Sequence, residues 1–404
     1  MYGFLDGVRI VELGHILLAP YATQWLGDFG ADIVKVEAPE GDYYRNLGLA
    51  REPGMTAQWM GVNRNKRSIV LDLKQPEGQE TLLAMVRKAD VLVHNMRVPA
   101  IERLGLGYEA VRAVNQRIVY AAAIGFGQDG PYADFPAFDD LIQSWCGLAE
   151  ANGRVMGAPA FVPLVVADII TALVLGQALL AAIFRQARTG KGCYIETPMF
   201  ETMVSMMLNQ HLNGHAYRPS LEGLGYSRVM SPFRKPAATR DGHISHGVYK
   251  YDQWQKFLAA AGRQDLLNGP LMSDARTMLV NFPRLYEIMA TEILPTRTTA
   301  EWRRIFNELS IPCAPLNSLD DLLQDPHLEA VGLIEDYEHP TRGAMRQVRN
   351  PVTAREVETR ADRSPPELGQ DGIAVLRDYG LQGAAIEGLV ARGVVRLPAS
   401  ERAP

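Results

Sequence analysis

The residue with the clearest chemical potential is Asp168, a carboxylate inside the apolar run 161–184. Burial removes the water around such a group, so the acid is unfavourable unless it is hydrogen-bonded, paired or used in chemistry. One structural role is that of a helix N-cap, in which Asp168 accepts the amide of Ile170 or Thr171 and begins a helix over 169–187. Another is that of a core acid satisfied by other polar groups. A cap and a nucleophile are compatible, because a helix start holds the carboxylate rigidly beside free amides.

The same run is long enough to cross a bilayer, which needs roughly 20 apolar residues. Pro163, Thr171 and Gln177 interrupt it and no second run of this kind follows, so the pattern favours a core helix and no membrane contact. A net charge of −5 gives no bias towards nucleic acid. Three scattered cysteines and eight histidines without zinc-motif spacing predict neither disulfides nor a metal site. Because no basic-then-apolar segment follows Met1, we expect a soluble cytoplasmic enzyme.

The elements that must position Asp168 begin with alternating strands and helices. Strands are predicted at 8–13, 32–37, 67–73, 91–95 and 117–123, with helices at 20–29 and 78–88. Strands separated by helices form parallel sheets, whose ligands gather at the carboxyl ends of the strands. The loop 14–20 therefore lies where a ligand binds. It lacks the G-x-G-x-x-G spacing, so we do not expect NAD.

The rest of the chain predicts a division into parts. After the apolar helix come a glycine stop at 188–192, a strand at 193–197 and a helix at 198–212. We assign 1–212 to a large domain, 213–236 to a crossing segment, 237–325 to a small domain, and 326–404 to a return crossing and the C-terminal part of the large domain. The small domain has a strand at 243–248 and helices at 251–261, 278–294 and 299–309, and short strands follow near 332–338 and 345–348.

Six stretches in register with Asp168 carry a family resemblance. They are 8–13 (VRIVEL), 30–39 (GADIVKVEAP), 63–74 (NRNKR leading into LDLK), 95–107 (NMR followed by ERLGLG), 125–131 (GFGQDGP) and 189–192 (TGKG). Together they resemble the class III CoA-transferases, the family of formyl-CoA transferase and carnitine CoA-transferase. The resemblance implies an α/β fold with a large Rossmann-like parallel-sheet domain and a smaller α+β domain. It also implies a homodimer whose chains interlock like linked rings.

By this resemblance, Asp168 is the catalytic nucleophile and coenzyme A is a substrate, with no tightly bound cofactor and no metal. The carboxylate attacks an acyl-CoA thioester and gives an aspartyl anhydride, which the CoA thiolate converts into an aspartyl-CoA thioester. An incoming carboxylic acid then reverses these steps and leaves as the new acyl-CoA. Covalent catalysis divides a difficult exchange into easier acyl transfers, and backbone amides can stabilise each oxyanion.

The resemblance also implies the positions that contact CoA. They are Leu71, Lys74, Asn95, Met96, Arg97 and Arg103. The basic residues at strand–helix junctions suit the CoA phosphates, although a lone surface cation is usually just solvated. Family members often carry an arginine at the position of Ala38, so this contact is missing or comes from elsewhere.

The substrate pocket is expected to involve His15 and Leu17 in the loop 14–20, together with Phe138 and Arg228. Formyl-CoA transferase has glutamine at the position of Leu17, so a small polar acyl group is a poor match. Arg228 lies in the cationic segment 223–235, where its guanidinium can receive the distal carboxylate of a dicarboxylic acid. This favours succinyl-CoA as donor and a dicarboxylic acceptor. The alternative is a domain crossing held by surface cations.

Two other functions remain open at this stage. The fold family includes 2-methylacyl-CoA racemases, which move an α-proton with a histidine–aspartate pair and a second aspartate at the position of Asp168. Here Phe138 stands where the racemase histidine would be, so one of the two proton carriers is missing. The other alternative is a non-catalytic CoA-binding protein. A buried acid at Asp168 is energetically unfavourable and is of no use for binding alone, which argues against this alternative.

Overall fold

The computed structural model describes residues 1–398. Its strands are β1 Arg9–Leu13, β2 Asp32–Glu37, β3 Lys66–Leu71, β4 Val91–His94, β5 Val119–Ile124, β6 Cys193–Pro198, β7 Ala237–Ala238, β8 His243–His246, β9 Cys313–Ala314, β10 Ile334–His339, β11 Gly343–Val348 and β12 Val395–Arg396.

The α-helices alternate with these strands in the first third of the chain. They are α1 Leu18–Asp28, α2 Ala57–Met60, α3 Pro76–Val86, α4 Val98–Arg103, α5 Tyr108–Val114, α6 Asp139–Trp145, α7 Leu148–Met156, α8 Val166–Thr189, α9 Met199–His211, α10 Tyr251–Ala260, α11 Gln264–Leu267, α12 Ala275–Val280, α13 Phe282–Ile288, α14 Thr299–Glu308, α15 Leu319–Leu322, α16 Pro326–Ala330, α17 Gly372–Asp378 and α18 Gly383–Ala391.

The large sheet confirms the prediction of a mainly parallel α/β fold. Its strand order is β12-β3-β2-β1-β4-β5-β6, and β12 alone among these strands runs antiparallel to its neighbour. The chain builds outward from β1 to β3 on one side and from β4 to β6 on the other. The order therefore reverses between β1 and β4, and ligands of such sheets bind in the crevice at this point.

Helices cover both faces of this sheet. One face packs against α3, α5, α17 and α18 through an apolar core that includes Leu82, Val111 and Leu376. The opposite face packs against α1 and α8. Because side chains alternate along a strand, Glu12 and Lys35 point towards this second face and are fully buried there.

Helix α8 is the apolar run of the sequence. Within the described residues it is the one helix long and apolar enough to cross a membrane, a test that the core helix of a soluble protein also passes. It packs against α1, α6, β5 and β6, and Thr171, Ala172, Leu175 and Leu179 on its inner side are buried. These contacts are those of a core helix.

The chain divides into two compact units. The first comprises Met1–Cys146, Pro163–Ser205 and the chain from Gly332 onward, and it contains the large sheet. The second comprises Gly147–Val162 and Met206–Val331, and it packs α10, α12, α13 and α14 around a core with Trp254, Phe257, Trp302 and Phe306. The sequence predicted divisions at 212/213 and 325/326, which differ from these bounds. It also assigned 147–162 to the large domain, whereas in the structure this segment belongs to the second unit.

Several predicted elements differ from the structure in detail. The helix expected over 278–294 breaks at Asn281, which caps α12 and precedes a helix with proline in its first turn. The start of the return crossing contains α16, which was not predicted, before the hairpin of β10 and β11 at the expected short strands. Near the end of the described chain, β12 follows α17 and α18 and pairs with β3, a strand that the sequence did not predict.

Candidate active site

A cavity of about 220 Å³ lies in the first unit at the carboxyl ends of β1, β4 and β5. Its lining includes six of the residues predicted from the sequence: His15, Leu17, Asn95, Arg97, Phe138 and Asp168. The loop after β1 and the loop after β4 meet here, at the point where the strand order reverses. The cavity therefore occupies the crevice in which this class of sheet binds ligands.

A second cavity of about 170 Å³ adjoins the first, because His15 lines both. Three further positions predicted to contact CoA, Leu71, Lys74 and Met96, line this second cavity. Arg103 lies outside both cavities and is exposed on α4. The structure thus brings five of the six predicted CoA positions to two neighbouring cavities.

Two exposed cations line these cavities without forming a salt bridge in the described chain. Lys74 and Arg97 line them and are exposed, and neither forms an ion pair within residues 1–398. Ala38, the position where the family often has arginine, lines the second cavity. No group of three or more His, Cys, Asp and Glu in this part of the chain is arranged to hold a metal ion. The two cavities present carboxylates, the Lys74 and Arg97 cations, the His15 imidazole and backbone amides.

Asp168 is the third residue of α8 and does not cap it, so the N-cap prediction was wrong. The helix begins at Val166, and its N-cap residue Val165 has no side-chain oxygen. The cap comes from Asp139 at the start of α6, whose Oδ1 accepts the amides of Ala167 at 2.6 Å and Asp168 at 3.2 Å. Within the described residues, the Asp168 carboxylate itself accepts no hydrogen bond.

These surroundings make Asp168 an unusually basic carboxylate. Burial, and after it the negative charge of Asp139, raise the pKa of Asp168 from 3.8 to about 7. Both causes disfavour the charged form. A carboxylate with a higher pKa is a better nucleophile than an ordinary aspartate, and it still ionises near neutral pH.

The loop after β1, which lines the same cavity as Asp168, is held in one conformation. Asn95 accepts the amide of His15 and donates to its carbonyl, both at 2.8 Å. Ile16 has a φ of 62°, a left-handed conformation that is unfavourable for a β-branched residue. The amide of Ile16 donates to both carboxylate oxygens of Asp42, at 3.0 and 3.2 Å. Strain of this kind persists only where surrounding contacts impose it.

A buried ionic network holds the loop after β1 in place. Lys35 Nζ donates to the Gly14 carbonyl at 2.7 Å and pairs with Asp42 at 2.9 Å and Glu12 at 3.1 Å. Lys66 pairs with Glu12 at 2.8 Å. Burial and the nearby charge of Lys35 lower the pKa of Lys66 to about 8, although Glu12 opposes this shift. None of these residues was predicted from the sequence, although a charged residue inside a buried strand was an available signal for Glu12 and Lys35.

The remaining predicted pocket residues lie in different surroundings. Phe138 precedes α6 and is exposed, with its ring at the edge of the first cavity. Arg228 belongs to the second unit, where its guanidinium lies 4.3 Å from the ring centre of Tyr249 and 5.8 Å from that of Phe282. Its Nε is buried without a hydrogen-bond partner, and among the described residues Arg228 has no ion pair. Burial opposes its charge, but the hydroxyls of Tyr286 and Tyr226 raise the pKa of Arg228.

Comparison with known proteins decides the family. The chain matches the model of CoA-transferase family III over residues 5–372. It belongs to this family. The resemblance inferred from the six sequence stretches is therefore confirmed, and the protein is a CoA-transferase.

The relatives of this chain are named after different acids. Succinate–glutarate CoA-transferase of Agrobacterium fabrum is 30% identical over 387 residues, which cover 93% of this chain and 95% of that protein. Succinyl-CoA:mesaconate CoA-transferase of Haloarcula hispanica is 31% identical over 362 residues, which cover 86% and 88%. The fold resembles the crystal structure of a CAIB/BAIF family protein from Brucella suis, with a TM-score of 0.77, 27% identity, and coverage of 94% of this chain and all of that one.

Proposed function

We propose that this CoA-transferase moves CoA from succinyl-CoA to a dicarboxylic acid, with Asp168 as the nucleophile. The observation that carries the proposal is the state of Asp168: a carboxylate with a pKa raised to about 7 and no hydrogen-bond donor among the described residues. It stands in a cavity that adjoins the one lined by Leu71, Lys74 and Met96. A reactive acid beside a site for CoA suits acyl transfer.

The reaction follows from these groups. One oxygen of Asp168 attacks the thioester carbon, the C–S bond breaks, and CoA leaves as the thiolate. The thiolate then attacks the Asp168 side-chain carbonyl of the anhydride and releases the donor acid, which leaves an aspartyl-CoA thioester. The carboxylate of the acceptor attacks this thioester, and the reversed steps give the new acyl-CoA and free Asp168. No redox step or proton carrier is required.

Backbone amides can stabilise the charge that develops on each attacked carbonyl oxygen. Leu17 and Leu18 line the cavity at the start of α1, and within residues 1–398 their amides donate to no protein acceptor. The strained loop anchored by Asp42 and Asn95 fixes these amides in advance. Preorganised donors of this kind are often the largest contribution to acyl-transfer catalysis.

CoA itself is bound, in this proposal, by the residues that line the two cavities and by the cations at their edges. Lys74 and Arg97 are exposed and unpaired in the described chain, so they are available to the CoA phosphates. Arg103, which lies outside both cavities, supplies a more distant contact.

The substrate class rests on Arg228 and on the named relatives. The Arg228 guanidinium lies near the rings of Tyr249 and Phe282, with no ion pair to a carboxylate in the described residues. The hydroxyls of Tyr286 and Tyr226 contact Arg228, and we propose that its planar fork, which matches a carboxylate, receives the distal carboxylate of the substrate. Succinate, glutarate and mesaconate, which occur in the names of the relatives, all carry two carboxylates.

The experiment is a panel of acyl-CoA donors and acids, scored by mass spectrometry for newly formed CoA esters. We expect succinyl-CoA with dicarboxylic acceptors to give the highest kcat/KM. Arg228→Ala should lower kcat/KM for dicarboxylates by about 10- to 100-fold and affect monocarboxylates much less, as expected for the loss of a charge-assisted hydrogen-bond pair. Lys235→Ala, which removes an exposed cation from the same segment, is the control. Equal losses for both acid classes would contradict the role of Arg228.

Heavy water provides a second arm of this experiment. If the protein incorporated deuterium at the α-carbon of a 2-methylacyl-CoA without any acid acceptor, racemisation would replace transfer as its activity. Phe138, in the position of the racemase histidine, offers no group that can carry the proton, so we expect no exchange.

We also propose that the protein is a cytoplasmic homodimer with interlocked chains, as the family resemblance implies. Linked chains cannot separate without unfolding, so native mass spectrometry at nanomolar concentration should still record the dimer, and a free monomer would contradict the linkage. Cell fractionation tests the location.

A further inference from the structure

The start of α8 is capped by a residue from another helix. Asp139 is the first residue of α6, and its side chain is almost fully buried. Its Oδ1 accepts the amides of Ala167 and Asp168, at 2.6 and 3.2 Å. Its Oδ2 accepts a hydrogen bond from Gln143 Nε2 at 2.6 Å. Both oxygens are therefore fixed, and α6 is tied to the helix end that carries Asp168.

This arrangement changes the surroundings of the Asp168 carboxylate. Amides at a helix N-terminus stabilise a negative charge, and an acid in the first turn ordinarily benefits from them. Here Asp139 occupies two of those amides and also adds a second negative charge nearby. The Asp168 carboxylate is left with no hydrogen bond from the described residues. A carboxylate deprived of stabilising contacts is more reactive towards an acyl carbon.

We propose that Asp139 is a positioning residue for Asp168: it fixes the start of α8 beside the cavity and withholds the helix amides from the nucleophile. The inference rests on the proposed nucleophilic role of Asp168. It assigns a function to the acid next to Phe138 that the sequence pattern did not indicate. Asp139 does not touch the reacting atoms, and its effect passes through the position and the basicity of Asp168.

The other ionisable groups around Asp168 do not provide this effect. His15 and Arg97 line the same cavity, and burial followed by the charge of Lys35 lowers the pKa of His15. For Tyr44, the influence runs from Asp168 to the tyrosine: burial, and after it the Asp168 charge, raise the pKa of Tyr44. Asp140, the next residue of α6, is exposed, and its carboxylate forms no hydrogen bond or salt bridge within the described chain. Asp140 therefore provides a matched control.

The test is the rate at which succinyl-CoA alone labels Asp168, measured against pH by mass spectrometry. Asp139→Asn keeps an oxygen that can cap α8 but removes the charge. We expect its labelling rate to rise with pH around a midpoint about one unit lower than in the wild type, with a lower plateau at high pH. Asp139→Ala removes the cap as well and should slow labelling by about 100-fold, because the nucleophile is misplaced. Asp140→Asn should match the wild type in both midpoint and plateau.

Three results would overturn the inference. The first is an Asp139→Asn profile that superimposes on those of the wild type and Asp140→Asn. The second is an Asp139→Ala variant that folds and labels as fast as the wild type. If the alanine variant does not fold, the asparagine profile decides alone. The third is a wild-type protein that succinyl-CoA does not label at all, which would reject the proposed nucleophile together with this inference. Labelled wild type with unchanged variants rejects only the role of Asp139.

Discussion

Replacing the nucleophile should make the protein more stable. Asp168 lies in the first turn of α8 without a hydrogen bond from the described chain, and Asp139 already caps the helix. Asp168→Asn is nearly isosteric and removes a charge that burial and Asp139 both disfavour. The substitution therefore eliminates a repulsion and breaks no contact of the side chain. Active-site acids commonly reduce stability in return for function.

The size of the effect follows from the pKa of Asp168. A shift from 3.8 to about 7 corresponds to at most about 4 kcal/mol of lost stability in the ionised protein, at about 1.4 kcal/mol per unit. Partial exposure of the side chain to solvent reduces this to about 1–3 kcal/mol. The folded chain keeps the proton up to a pH of about 7, whereas the unfolded chain releases it near 3.8. The wild type should therefore lose stability as the pH rises between these values.

Urea unfolding of both proteins across this pH range is the assay. The free energy of unfolding of Asp168→Asn should equal that of the wild type at the acidic end, exceed it increasingly up to neutral pH, and stay higher above it. Asp140→Asn, which removes an exposed charge from the same region, should change little at any pH. A variant no more stable than the wild type at pH values above neutrality, or a difference that does not grow with pH, would refute the reasoning.

Two further variants test the loop and the CoA contacts. Asp42→Ala leaves Lys35 buried without one partner and frees Ile16 from its strained conformation, so it should lower the free energy of unfolding by about 3–5 kcal/mol and the activity by about 100-fold. Glu40→Ala, at an exposed position nearby, should have neither effect in the same urea and kinetic assays. Arg97→Ala should raise KM for the acyl-CoA by about 10-fold and leave kcat nearly unchanged, since a phosphate contact acts on binding. A loss in kcat alone would contradict that contact.

Local patterns were sufficient to predict much of the first unit. The alternation of apolar strands with helices predicts the bounds of β1 to β5 to within a few residues. A parallel strand is buried on both faces, so it has a composition that few other elements share. The same reasoning places the loop with His15 and Leu17 at the ligand-binding edge of the sheet. In the structure, both residues line a cavity. Asp168 stands out for a physical reason, as an acid in an apolar helix.

The features that could not be predicted from the sequence depend on contacts between residues that lie far apart in the chain. The cap of α8 is contributed by Asp139, 28 residues before the amide that it accepts, and an apolar helix start at Val166 carries no cap signal of its own. The strand β12 consists of two residues, and only its pairing with β3 identifies it. The network of Lys35 and Asp42 likewise becomes visible only when β2 and the following loop are folded together.

The central claim is that Asp168 forms a covalent bond with the substrate. The most direct measurement is mass spectrometry of the peptide that contains Asp168, after incubation with succinyl-CoA and trapping with hydroxylamine or borohydride. We predict a hydroxamate or an alcohol on this residue in the wild type. Asp168→Asn should show neither label nor transfer, although it still folds and binds CoA. An Asp168→Asn variant that transfers CoA while remaining unlabelled would contradict the mechanism.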